Sequence, residues 1–183
     1  MPRTTSLSSR TACGRGSRTS RESRRPALHN ALYVTLKELR RHGSAEAPRR
    51  RAIVLLSDGE DTTSLVDEDR VLELARRADV AVYPIALLGA AKQDRERLAS
   101  REATHFLRVL ARESGGEAHF PSSLSQLNAV YERVAGELRN QYMVGYVPRT
   151  DRRDGRFHRI EVRTPSRSHL QVRHRLGYYS SRG

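Results

Sequence analysis

The segment Ala52-Ile53-Val54-Leu55-Leu56 is apolar at every position and stops abruptly at Ser57-Asp58-Gly59. A strand with one wet face alternates, so the unbroken run predicts a strand covered on both faces, as in parallel sheets. Parallel neighbours need crossover helices, and the flanking sequence supplies them. Upstream, Leu28, Leu32, Leu36 and Leu39 recur at helical spacing with Ala31 and Thr35 alongside, and Gly43 offers a C-terminal stop. Downstream, Asp67 can cap a helix whose Val71, Leu72, Leu74, Ala75 and Ala78 face inward and whose Arg76 and Arg77 suit its last turn. A second buried strand follows at Val80-Ala81-Val82-Tyr83 and Ile85 onward, with a bulge or strand end expected at Pro84.

The alternation continues. Phe106, Leu107, Val109 and Leu110 mark a helix closed by Gly115-Gly116, and Ala118-His119-Phe120 reads as a short third strand. Ser123 and Gln126 have capping-box spacing ahead of Leu124, Leu127, Val130, Tyr131, Val134 and Leu138. Repeated strand and helix imply an α/β fold with a doubly wound parallel sheet of Rossmann type. After Asn140 the period changes to two, at Tyr142, Val144 and Tyr146, then His158, Ile160 and Val162, then Leu170, Val172, His174 and Leu176. Three antiparallel strands are expected there, with a turn at Asp154-Gly155 and a break at Pro165. The resulting division is a disordered Arg/Ser-rich tail over 1–25, a partial α/β domain over 26–140 and a C-terminal β appendage over 141–183.

Charge bears on the choice of partner. The net +13 of the chain is unevenly spread: residues 1–26 carry seven Arg against Glu22, and 149–183 carry ten Arg against Asp151, Asp154 and Glu161. Subtracting these from 34 basic and 21 acidic residues leaves 17 of each in 27–148, so the expected core is neutral. Only Lys37 and Lys92 are lysines, a skew characteristic of GC-rich coding sequence. An Arg-rich nucleic-acid-binding protein, its two basic ends straddling phosphates, is the alternative reading. The single Cys13 excludes an internal disulfide and a Cys-based metal site. No stretch approaches the roughly 18 apolar residues of a membrane helix, and residues 1–25 lack a secretory signal's apolar core, so a cytoplasmic protein without a membrane span is expected.

Several motifs carry a resemblance. Leu56-Ser57-Asp58-Gly59-Glu60-Asp61-Thr62, the stretch from Leu74-Ala75-Arg76 to Val82-Tyr83, Leu110-Ala111-Arg112-Glu113-Ser114-Gly115-Gly116, and Leu138-Arg139-Asn140-Gln141-Tyr142 running into Val144-Gly145-Tyr146 appear in that order. Gly155-Arg156-Phe157-His158-Arg159-Ile160 and Gly177-Tyr178-Tyr179 complete the set. Over about residues 27–179 the chain resembles a von Willebrand factor type A domain, and more narrowly the bacterial family related to it.

The resemblance implies a non-enzymatic protein-binding or adhesion module, often extracytoplasmic, with a metal-ion-dependent adhesion site that holds Mg²⁺ through an Asp-x-Ser-x-Ser motif, a Thr and a further Asp. Of these, Asp58 alone matches. Pro26 stands where the Thr would fall, and Ser6-Leu7-Ser8-Ser9 lacks the carboxylate. Asp58 is therefore expected to be a relic ligand in an incomplete site, with no cofactor bound. Family domains also begin with strands that residues 1–25 cannot form. The sequence reads as a fragment of a longer, N-terminally truncated protein or one with a non-native start, the alternative being a degenerate half-sized sheet. The strand 52–56 then lacks its usual neighbour, and self-association through that edge is expected.

Other motifs read as structure. Glu60 and Asp61 are solvated loop charges, and Ser114-Gly115-Gly116 is a helix cap. The histidines show no zinc spacing, although His158 and His174 could face one another across strands. Tyr142, Tyr146, Tyr178 and Tyr179 are expected to pack strand on helix. No Gly-rich phosphate loop occurs, which disfavours a nucleotide enzyme.

Overall fold

The computed structural model describes residues 27–41, 50–57, 64–87, 94–148, 154–165 and 172–180, with backbone alone for 94–100. The expected tail over 1–25, Cys13, Pro26 and the Gly43 stop lie outside the described residues. The elements in order are α1 (Leu28–Arg41), β1 (Ala52–Ser57), α2 (Glu68–Ala78), β2 (Ala81–Ala86), α3 (Asp94–Ser114), α4 (Leu127–Arg139), β3 (Phe157–Arg159) and β4 (Gly177–Tyr179). A 3-10 turn, Leu124–Gln126, leads into α4.

The architecture is mixed α/β. β1 and β2 pair in parallel from Ala52 opposite Ala81 to Ser57 opposite Ala86, with α2 as the crossover, while β3 and β4 form a separate antiparallel pair. The amphipathic faces of α1, α2 and α3 meet over one face of the parallel pair. Leu32 and Leu36 from α1, Val71 and Leu74 from α2, and Leu107 and Leu110 from α3 join Val82 and Ala86 in one apolar cluster, with Ile53 and Leu55 packed against it. Ala31 and Thr35 turn outward on α1, and the Thr35 hydroxyl donates to the Ala31 carbonyl at 2.8 Å. Asn30 ties the start of α1 to the approach of α2, its Oδ1 accepting the Leu65 and Val66 amides.

β1 is not covered on both faces. Val54 and Leu56 remain 43% and 53% exposed, because the helices lie on the Ile53 and Leu55 side and, among the described residues, little covers the other. β2 instead is the doubly buried strand, from Val82 to Ala86. Pro84 makes neither a bulge nor an end. Its nitrogen points away from β1, toward a side where Val82 donates to the Ser114 hydroxyl oxygen and Ala86 to the His119 carbonyl, so Pro84 need supply only its carbonyl, which accepts from His119 at 2.8 Å. The expected third strand reduces to that one bridge, Ile85 with His119.

Asp67 occupies the N-cap of α2 in extended conformation, but its side chain makes no capping bond. The same holds for Ser123; Gln126 instead accepts from the Ser122 amide, a reciprocal contact one residue earlier than expected. On α4 only Val134 is fully buried, and Leu124 and Tyr131 face outward. Helix α3 closes as expected, with Gly115 at φ +87° and the Gly116 amide bonded to the Ala111 carbonyl.

Among the described residues the appendage has two paired strands rather than three. Residues 142–147 are described as unpaired, with Tyr142 93% exposed, so Tyr142 does not pack on a helix. The strand that pairs with β3 is Gly177–Tyr179, and among the described residues Asp154-Gly155 joins no two paired strands: it precedes β3, where the Arg156 amide donates to Asp154 Oδ1 and Gly155 takes a φ of +70°. His158 stands opposite Tyr178, stacked at 5.3 Å, not opposite His174. Tyr179 packs against Phe157 and under the Arg77 guanidinium of α2, while Arg175 bonds Asp79 at 2.7 Å, which docks the ribbon on α2.

Candidate functional site

Open parallel sheets place their sites beyond the C-terminal ends of their strands. At that end of β1 the last described contact is the Leu87 amide on the Ser57 carbonyl at 3.1 Å. Asp58, Glu60 and Asp61 lie outside the described residues. Among the described residues no three His, Cys, Asp or Glu side chains gather as a metal site would require.

The side of β1 away from β2, free among the described residues, is better defined. Parallel pairing, with the Ala81 amide on the Arg51 carbonyl and the Leu87 amide on that of Ser57, turns the amides and carbonyls of Ile53, Leu55 and Ser57 toward β2. Those of Ala52, Val54 and Leu56 therefore point to the edge that no described strand occupies. The same three residues carry the exposed side chains. Sequence spacing alone predicts such an edge only if the neighbouring strand is known to be missing. Beside it, Arg50 donates to the Gln141 carbonyl at 2.6 Å and Gln141 Nε2 donates to the Tyr83 hydroxyl at 3.1 Å, which anchors the start of the exposed apolar segment 142–147.

A polar cluster occupies the other edge of β2. Arg173 binds both Glu117 and Glu137, and His119 Nε2 lies 3.7 Å from Glu117. Burial pushes the Glu117 carboxyl up, but Arg173 outweighs it and holds the group below its ordinary value. Burial raises Glu137 despite the same guanidinium. His119 is depressed by burial, against the pull of Glu117, and its Nε2 has no hydrogen-bond partner among the described residues. Burial also raises Tyr83, with the Gln141 bond acting against it. These groups share no nucleophile and base in hydrogen-bond contact, so the cluster reads as a clasp between the turn after α3, α4 and residues 172–176. None of its members was singled out from the sequence, where Glu117, Glu137 and Arg173 look like ordinary surface charges.

Between α3 and residues 172–176 the clasp borders an open cleft of about 340 Å³. Comparisons of the chain with protein-family models, with curated proteins and with solved structures give no match.

Proposed function

We propose that this chain is a non-enzymatic protein-binding module of von Willebrand A-like architecture that docks another chain along the free side of β1, with a second copy of itself as the partner. The supporting observation is the coincidence, at Ala52, Val54 and Leu56, of open backbone groups and exposed apolar side chains. An edge of this kind is a template for strand addition. It is also self-complementary. Two copies related by a twofold axis at Val54 would set Ala52 opposite Leu56, exchange bonds at each of these pairs and join the two parallel pairs into one four-stranded sheet. The Lys and Pro residues that often blunt such edges do not occur between Ala52 and Ser57.

This reading keeps the interaction role that the resemblance implies and does without its metal, since Asp58 has no Asp-x-Ser-x-Ser partner in the sequence. Sedimentation velocity of the full chain tests it: a concentration-dependent dimer that Val54→Lys with Leu56→Lys converts to monomer supports it, and an unchanged distribution refutes it. Duplex DNA binding that falls steeply with salt, together with a monomeric chain, would favour the nucleic-acid alternative.

A further inference from the structure

We propose that the cleft between α3 and residues 172–176 binds a small dianionic oxyanion, inorganic phosphate or a phosphomonoester. Its floor is the Gly115-Gly116 backbone, where the chain leaves no room for side chains. A Cβ on Gly115 would lie 2.8 Å from the Arg175 nitrogen, and one on Gly116 2.0 Å from the Val82 carbonyl oxygen. Its walls are Arg108 and Arg112, one turn apart on α3, facing Val172 and Leu176. The size is at the lower end of small-ligand sites.

Charge accounting distinguishes the two wall arginines from the others nearby. Arg76 is matched by Glu113 through a two-pronged contact at 2.7 and 2.8 Å, and Arg173 by Glu117 and Glu137. Among the described residues Glu117 is the one acidic residue lining the cleft, and Arg173, shared with Glu137, holds it. Arg108 and Arg112 meet no carboxylate among the described residues; Arg108 is instead steadied over the Phe120 ring at 4.9 Å. The last-turn carbonyls of α3 offset roughly half a charge. Like charges one turn apart repel. The pair thus presents uncompensated positive charge across a rigid floor, and a dianion with two or more free oxygens relieves it through charge-assisted bonds.

Phosphate also stabilises proteins by exclusion from their surface, so the test compares variants. The thermal midpoint of the full chain is followed against inorganic phosphate, with chloride and acetate at matched ionic strength, for the parent, Arg108→Gln with Arg112→Gln, and Arg159→Gln, which alters an exposed arginine elsewhere. The expected result is a saturable rise of a few degrees in the parent and in Arg159→Gln that the double variant loses and acetate does not reproduce. The Gly115 and Gly116 amide resonances of the parent should move with the same midpoint, which decides the matter should the double variant fail to fold. An equal rise in a folded double variant, the same response to acetate, or unmoved glycine amides would overturn the proposal.

Discussion

Replacing Gly116 by Ala probes the joint that holds the turn after α3 against β2. The added Cβ would lie 2.0 Å from the Val82 carbonyl oxygen and 2.7 Å from its carbonyl carbon, where ordinary contact begins at 3.4 Å. One backbone must therefore retreat by 3.4 − 2.0, about 1.4 Å, in a close-packed interior. That displacement breaks or stretches three bonds: Val82 N to Ser114 Oγ at 3.0 Å, His119 N to the Pro84 carbonyl at 2.8 Å and Ala86 N to the His119 carbonyl at 2.9 Å. At about 1 kcal/mol each, with about 1–3 kcal/mol for overpacking, the loss is on the order of 4–6 kcal/mol. For a chain of this size that corresponds to a fall of roughly 10 °C in Tm. Gly136→Ala is the paired control, since a Cβ there meets nothing within 4 Å and the site is helical. It should gain about 0.5–1 kcal/mol. Calorimetry that finds Gly116→Ala melting within about 2 °C of the parent would refute the packing of this turn on β2.

Ser114→Ala removes the buried acceptor of the Val82 amide and should lower stability by about 1–3 kcal/mol in thermal or urea unfolding. His119 gives a pH dependence. Its folded-state value lies below 6.5, so the unfolded chain binds the proton first; stability is full above about pH 6.5 and declines as the pH falls toward the folded value, and His119→Gln should flatten that decline in melts between pH 7 and pH 5. Mg²⁺ in the low millimolar range should leave the midpoint unchanged, because the Asp-x-Ser-x-Ser motif that the resemblance would pair with Asp58 does not occur in the sequence; an upshift that Asp58→Ala abolishes would contradict this.

What the sequence disclosed follows the range of the forces involved. The stripes Leu32/Leu36, Val71/Leu74/Ala75/Ala78 and Phe106/Leu107/Leu110 were legible because burial leaves a periodic trace, and Gly115 because a left-handed helix end favours glycine. The apolar run at 52–56 correctly indicated a parallel strand, but its coverage did not follow, since burial depends on which elements arrive on each face. Pro84 misled because a missing donor matters only if its side of the strand needs one. The Glu117, Glu137 and Arg173 clasp joins residues far apart in the chain by charge, which leaves no local pattern to read. Residues 142–147 alternate like a strand yet pair with none described, because alternation states a preference for a sheet and does not supply the partner.

Residue-resolved hydrogen exchange across β1 at two protein concentrations tests the proposed interface most directly. The account predicts that the Ile53, Leu55 and Ser57 amides, which face β2, are protected at both concentrations, whereas the Ala52, Val54 and Leu56 amides exchange freely when dilute and become protected when concentrated. Protection of all six amides that does not vary with concentration, or free exchange at Ala52, Val54 and Leu56 throughout, would contradict it.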